Sequence, residues 1–264
     1  MAISFRGVRE LGLALFRAFD RAKPHYLRDH NFLLGRLLAT NDYDKAMQLC
    51  VGGGYEAMGR SEAALLAHLG LKDGQLVVDV GCGSGRLSSA LAERFDIRYH
   101  GTDILEPLLD YARTHAPAGY RFTRVDSIAI PEASDSADFV TFFSVATHLL
   151  HHETFIYLEE ARRVAARGGQ IVLSFLEFGI PDHWRHFANS VRIHRSCVPE
   201  PINTFIERSV FPIWAEKLGL ELVAVRPGDI AWIPIDESSA SDPQASPASL
   251  VALGQSCAIF RKPA

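Results

Sequence analysis

The sequence predicts a doubly wound α/β fold: a mostly parallel sheet with helices on both faces, behind an N-terminal helical cap. Three observations carry this. From Leu76 onward, short apolar runs alternate with amphipathic ones, the pattern of strands and crossover helices. The run Val77-Val78-Asp79-Val80-Gly81-Cys82-Gly83-Ser84-Gly85-Arg86-Leu87 is a buried strand that ends in a glycine turn and opens a helix. Before about residue 70 the apolar spacing is helical.

In that first segment Phe5, Val8, Leu11, Leu15, Phe16 and Phe19 recur at helical spacing, and Phe32, Leu33, Leu37 and Leu38 form a second such series. Gly52-Gly53-Gly54 breaks the pattern before a helix over roughly 60–69. Leu76–Val80 is the first strand, followed by a helix over about 84–93 with Leu87, Leu91 and Ala92 on one face. A second strand covers 97–101 and ends at Thr102-Asp103, a helix covers 105–115, and a short third strand covers 121–124. A strongly apolar fourth strand spans 139–143. The helix after it spans 152–165 and stops at Gly168-Gly169. A fifth strand spans 171–175. Residues 176–209, with Pro181, Trp184, Pro199, Pro201 and three histidines, interrupt the alternation as an insertion. Such an insertion, after a strand's C-terminal end, sits on the face where open α/β sheets bind ligands. A helix over 210–218, a strand over 220–225, a Ser/Ala/Asp/Pro-rich loop over 236–249 and a closing strand over 256–261 complete the chain. The expected organisation is a cap over 1–70 and a core over 71–264.

Composition narrows the function. The chain has 264 residues, 48% hydrophobic and 22% charged, with a net charge of −4. That is a weak electrostatic footprint for a nucleic-acid binder. Cys50, Cys82, Cys197 and Cys257 lack metal-ligand or disulfide-framework spacing, so no metal is expected and reduced thiols in the cytoplasm are the simplest reading. No apolar run has membrane-span length, and Arg9 and Glu10 interrupt the first apolar stretch, which argues against a signal peptide. Residues 1–36 hold seven Lys or Arg against three acids. Such basic helices suit a lid, an oligomer contact such as a homodimer, or a membrane surface.

The glycine spacing selects the ligand. A dinucleotide corner reads G-x-G-x-x-G, but here Gly81-x-Gly83-x-Gly85 is followed by Arg86 at the place of the third glycine. Asp79 stands two positions before the first glycine. A carboxylate there gives a pyrophosphate nothing, but it suits a ligand with a cationic amino-acid end. This points from NAD towards S-adenosyl-L-methionine, with a glycine turn that holds no ligand as the alternative. Asp103 follows the second strand, where an acid accepts ribose hydroxyls or caps a helix. Asp126 follows the third, where a carboxylate or its neighbouring backbone reads an adenine amine or serves as a cap.

With these residues in view, the segment from Val77 to Phe175 resembles the class I S-adenosylmethionine-dependent methyltransferases, in particular bacterial small-molecule members. The glycine corner, Gly101-Thr102-Asp103, Val125-Asp126-Ser127 and Phe139-Val140-Thr141-Phe142-Phe143-Ser144-Val145 occur in the family's order. The resemblance implies a Rossmann-like sheet of seven strands with the last one reversed. It assigns Asp79, Gly81, Gly83, Gly85, Asp103, Ile104, Asp126, Ser127 and Ser144 to the cofactor. Gly53 to Gly59 resembles a segment that lies over the cofactor, which adds Tyr55 and Gly59.

Methyl transfer demands mainly alignment of nucleophile, methyl and sulfur. A hydroxyl acceptor also needs a base, most often His. His148, just after the fourth strand, is the catalytic candidate; a loop cap or a substrate contact are its other readings. His183, His186 and His194 are either substrate contacts or surface residues, and Trp184 with Phe187 offers a wall for a ring or sugar. There is no (Asp/Asn)-Pro-Pro-aromatic run after the fourth strand and no carboxylate set for magnesium. By elimination, the expectation is methylation of a small molecule on a hydroxyl oxygen. An anionic or sugar-containing acceptor would suit Arg185, Arg192 and Arg195. The alternatives are N- or C-methylation, a non-catalytic cofactor-binding partner protein, or an NAD-type oxidoreductase.

Overall fold

The computed structural model describes residues 24–52, 54–196, 200–235 and 249–264. Three helices come first: α1 (His25–Thr40), α2 (Tyr43–Cys50) and α3 (Tyr55–His68). The core follows as β1 (Leu76–Val80), α4 (Arg86–Ala92), β2 (Arg98–Asp103), α5 (Glu106–His115), β3 (Arg121–Arg124) and β4 (Ala137–Phe142). A 3₁₀ turn (Ala146–His148) leads into α6 (His151–Val164) and β5 (Ala165–Phe175). Then come α7 (Pro181–Arg195), α8 (Val210–Leu218), β6 (Glu221–Arg226), a β7/β8 pair (Ile233–Ile235 and Ser249–Val251), and β9 (Ser256–Arg261).

The main sheet has seven strands in the order β3-β2-β1-β4-β5-β9-β6. The pairs from β3 through β5 are parallel, and β9 runs antiparallel to both its neighbours. The reversed last strand is therefore present. Period-2 alternation divides the core between the two faces. Val78, Val80, Val140, Phe142, Ile171 and Leu173 pack with α1, α2, α5, α6 and α8. Val77, Phe139, Val172 and Ile259 pack with α3 and α4. No helix among the described residues is long and apolar enough to cross a membrane.

The differences from the sequence reading are local. The helix read over 60–69 begins at Tyr55, because Gly54 takes a left-handed φ of 69° and lets the chain turn directly into it. β5 begins at Ala165 rather than 171: Ala165 pairs with Ala137, and the register then shifts before Gln170 meets Phe139. The insertion over 176–209 contains the 15-residue helix α7. In α1 the buried positions are Tyr26, Leu27 and Leu34, whereas Phe32 and Leu38 are 43% and 42% exposed. The Phe5–Phe19 series and the loop over 236–248 lie outside the described residues.

Helix α3 lies against α4 at Gly59, which is buried. A Cβ at that position would stand 2.6 Å from the Arg86 carbonyl oxygen. Backbone cannot yield as a flexible side chain does, so Gly59→Ala is expected to destabilise the chain by about 1–3 kcal/mol, read as a lowered urea midpoint. An unchanged midpoint would show that α3 and α4 are not in this contact.

Candidate functional site

Parallel strands deliver their C-terminal ends to one edge of the sheet, and there a cavity of about 340 Å³ opens. Its floor is the glycine corner with the ends of β1, β2 and β4, and its roof is α1 and the end of α2.

The corner is built by packing as much as by open space. Gly81 and Gly83 have φ of 70° and 55°. A Cβ on Gly81 would come within 2.5 Å of Val145 Cγ2, and one on Gly83 within 2.2 Å of Val51 Cγ1. The cap therefore rests Val51 directly on the turn. Arg86, which replaces the third glycine of a dinucleotide corner, forms a buried ion pair with Glu62 of α3 and donates from Nη1 to the Val51 carbonyl at 2.7 Å.

Asp79 is buried on the cavity wall, where its carboxylate accepts hydrogen bonds from Tyr99 Oη at 2.6 Å and Thr141 Oγ1 at 2.7 Å. Burial nonetheless pushes its pKa up to about 7. Asp103 braces the turn: Gly83 N–H and Leu105 N–H each donate to one of its oxygens at 2.9 Å. Each oxygen keeps a further lone pair. Burial raises this carboxyl as well. Ile104 lines the cavity.

Ser144, after β4, is a non-glycine residue with φ of 62°. A ring of hydrogen bonds holds it there. Its N–H donates to Ser174 Oγ at 2.7 Å, Ser174 Oγ donates to Gln255 Oε1 at 2.7 Å, and Gln255 Nε2 donates to Ser144 Oγ at 3.0 Å. The Ser144 hydroxyl proton is left outside the ring.

His148 lines the cavity and donates from Nδ1 to the Ile202 carbonyl at 2.8 Å. A carbonyl only accepts, so Nδ1 carries the proton and Nε2 a lone pair. Burial lowers its pKa to about 4, which keeps it neutral at pH 7 and makes it a weak proton acceptor.

Other expected site residues lie elsewhere. Asp126 and Ser127 are exposed and do not line the cavity; their neighbour Val125 does. Tyr55 donates to the Ser84 carbonyl at 2.7 Å, and neither it nor Gly59 lines the cavity. Gly85 also stands behind the lining, with its φ of 87° and with Ala112 2.9 Å from where a Cβ would be. His183 is buried and links two backbone segments, accepting from Glu177 N–H and donating to the Gly254 carbonyl. His186 and His194 are exposed, as are Arg185, Arg192 and Arg195. No His/Cys/Asp/Glu cluster among the described residues could hold a metal ion.

Tyr26, His30, Cys50, Tyr157 and Gln255 also line the cavity, and the sequence reading missed them. The lining fits S-adenosylmethionine on chemistry. Asp79 is a buried carboxylate whose anionic form lacks a strong cationic partner, and a ligand ammonium or sulfonium supplies one.

Residues 77–169 match a family described as a methyltransferase domain. A ubiquinone biosynthesis O-methyltransferase from Idiomarina loihiensis is 35% identical over 107 residues, 39% of this chain and 43% of that protein. The chain thus spans less than half the length of this relative. Methyltransferase GfsG from Streptomyces halstedii is 24% identical over 225 residues, 79% of this chain and 76% of that protein. Magnesium protoporphyrin IX methyltransferase from Synechocystis, solved with bound S-adenosylhomocysteine, superposes with a TM-score of 0.54 at 17% identity, covering 79% of this chain and 85% of that one. Strand order, corner and sequence match converge: the core of this chain is a class I S-adenosylmethionine-dependent methyltransferase domain.

Proposed function

We propose that the chain methylates a hydroxyl oxygen of a small-molecule acceptor held between α1, the 3₁₀ turn and the 200–206 segment. The observation that carries this reading is the neutral imidazole of His148, which has its Nδ1 proton committed to a backbone carbonyl and its Nε2 lone pair free on a cavity wall. A lone pair so fixed accepts a hydrogen bond from an O–H and orients the oxygen. The only guanidinium among the described lining residues, Arg86, is engaged by Glu62, which favours a neutral hydroxylated acceptor over an anionic one. Two relatives carry methyltransferase names, one of them specifying oxygen.

On this reading Asp79 faces the cationic amino-acid end of S-adenosylmethionine, Asp103 the ribose, the Val125–Asp126 segment the adenine, and Ser144 the methionine side. The cofactor supplies an already activated methyl group. The protein's contribution is to bind, align and exclude water. The helices before residue 70 form the cap and the remainder the catalytic core.

Asp79 links the site to stability. Its folded pKa, about 7, lies above the ordinary carboxylate value. Its stability contribution is therefore complete at acidic pH and is lost as pH rises through about 7. Asp79→Asn is expected to raise the melting temperature of the ligand-free chain at pH 8, to change it little at about pH 3, and to weaken S-adenosylhomocysteine binding by about tenfold or more in calorimetry. A lower melting temperature at both pH values with unaltered affinity would remove Asp79 from the site.

The reaction is tested by release of S-adenosylhomocysteine with phenol, catechol, glucose and UDP-glucose as acceptors. Turnover is expected with a hydroxylated member, and His148→Gln is expected to lower kcat/KM by about 10²-fold, largely through KM. Cofactor binding without transfer to any of them, or transfer to amines alone, would overturn the oxygen reading.

A further inference from the structure

The cavity presents a second imidazole. His30 of α1 lines it, half-buried, with its ring edge-on to His148 at a centroid separation of 4.8 Å. His30 Nδ1 lies 2.9 Å from the carbonyl oxygen of Tyr26, one helical turn back. That oxygen only accepts, so in the neutral ring Nδ1–H donates and Nε2 carries the lone pair. Two neighbouring imidazoles thus have the same tautomer imposed on them by backbone carbonyls.

Their electrostatic settings differ. His30 acts on His148 against its protonation. On His30 acts the carboxylate of Asp103, at the end of β2. The carboxylates of Glu153 and Asp126 act on Tyr26 from outside the lining. Among the described lining residues, Tyr26 on α1, Cys50 on α2 and Tyr157 on α6 also titrate in this part of the cavity. All three have pKa values raised by burial, so they stay protonated and uncharged. An imidazolium formed on His30 thus has the Asp103 carboxylate for a counter-charge, and one formed on His148 would face another imidazole. His30 is the ring on the helical roof and, like His148, is half-buried.

We propose that His30 is the catalytic proton acceptor and that His148 is the residue that positions the acceptor hydroxyl. This rests on the oxygen reading above. As the hydroxyl oxygen forms its bond to the methyl carbon, the carbon–sulfur bond breaks with its electron pair passing to sulfur, and the hydroxyl proton passes to His30 Nε2. Charge is conserved: one cationic sulfonium is lost and one imidazolium is gained.

The test compares His30→Gln, His30→Ala and His148→Gln in the full chain, using the acceptor of highest turnover from the panel above. The rate of the native chain is expected to fall on the acid side. His30→Gln is expected to lose about 10²-fold in kcat together with that acid limb, while S-adenosylhomocysteine affinity stays within about threefold. His148→Gln is expected to keep the limb and raise KM. Added imidazole is expected to restore about tenfold or more of the lost rate in His30→Ala. Independently of turnover, nitrogen NMR at pH 8 is expected to show both rings with Nδ1 protonated and Nε2 bare. A limb that persists in His30→Gln, absence of imidazole rescue, or an Nε2-protonated His30 ring each overturns the assignment while leaving the oxygen reading standing. No transfer by the native chain to any hydroxyl overturns both.

Discussion

The site depends on one buried ion pair, Arg86 with Glu62. Arg86 opens α4 immediately after the glycine corner, and Glu62 belongs to α3. The same guanidinium reaches the Val51 carbonyl, and Val51 is the residue seated on Gly83. One side chain thus ties the first turn of α4 to α3 and to the segment between α2 and α3. Removing two charges from water offsets much of what their attraction contributes, and burial raises the Glu62 carboxyl against the pull of Arg86. The pair is therefore better understood as fixing position than as adding net stability. Losing either partner would strand the other, at about 3–5 kcal/mol.

A second constraint works beside it, at the end of β4. Ser144 sits in the left-handed region at a cost of about 1 kcal/mol or more, and it persists because Ser174 and Gln255 close a ring around it. The ring draws on β5 and on the approach to β9 as well as on the end of β4. The corner and the ring thus lie side by side in the cavity floor, each anchored by side chains from segments distant in sequence.

This explains which parts were legible in the sequence. β1, β3, α8 and β9 were read with their observed bounds, because period-2 apolar runs and flanking glycines are local signals. Asp79, Asp103 and Ser144 were legible because they occupy strand ends, and strand ends converge whatever the rest of the chain does. His30 and Gln255 were not. One lies on a helix whose buried face is chosen by tertiary contact, so Phe32 and Leu38 looked apolar and came out exposed. The other precedes a strand paired on both sides with neighbours that no local pattern names. His183 illustrates the opposite error: its buried setting between two backbone partners is invisible in a segment that reads as loop. The Arg86–Glu62 pair had one signal, an arginine where a glycine was expected, but nothing pointed to its partner.

The position of β9 governs how the molecule assembles. It is the last strand of the sheet in chain order, yet it lies between β5 and β6, and among the described strands the latter pairs with no other. β6 leaves the ribosome earlier but has no sheet edge to join until β9 has formed. Loop closure must therefore precede this part of the sheet, the slow order of events for long-range pairing. Gln255 enters with the same strand. A nascent chain can therefore organise the glycine corner well before it completes the ring around Ser144, so two parts of one cavity mature at separate moments of folding.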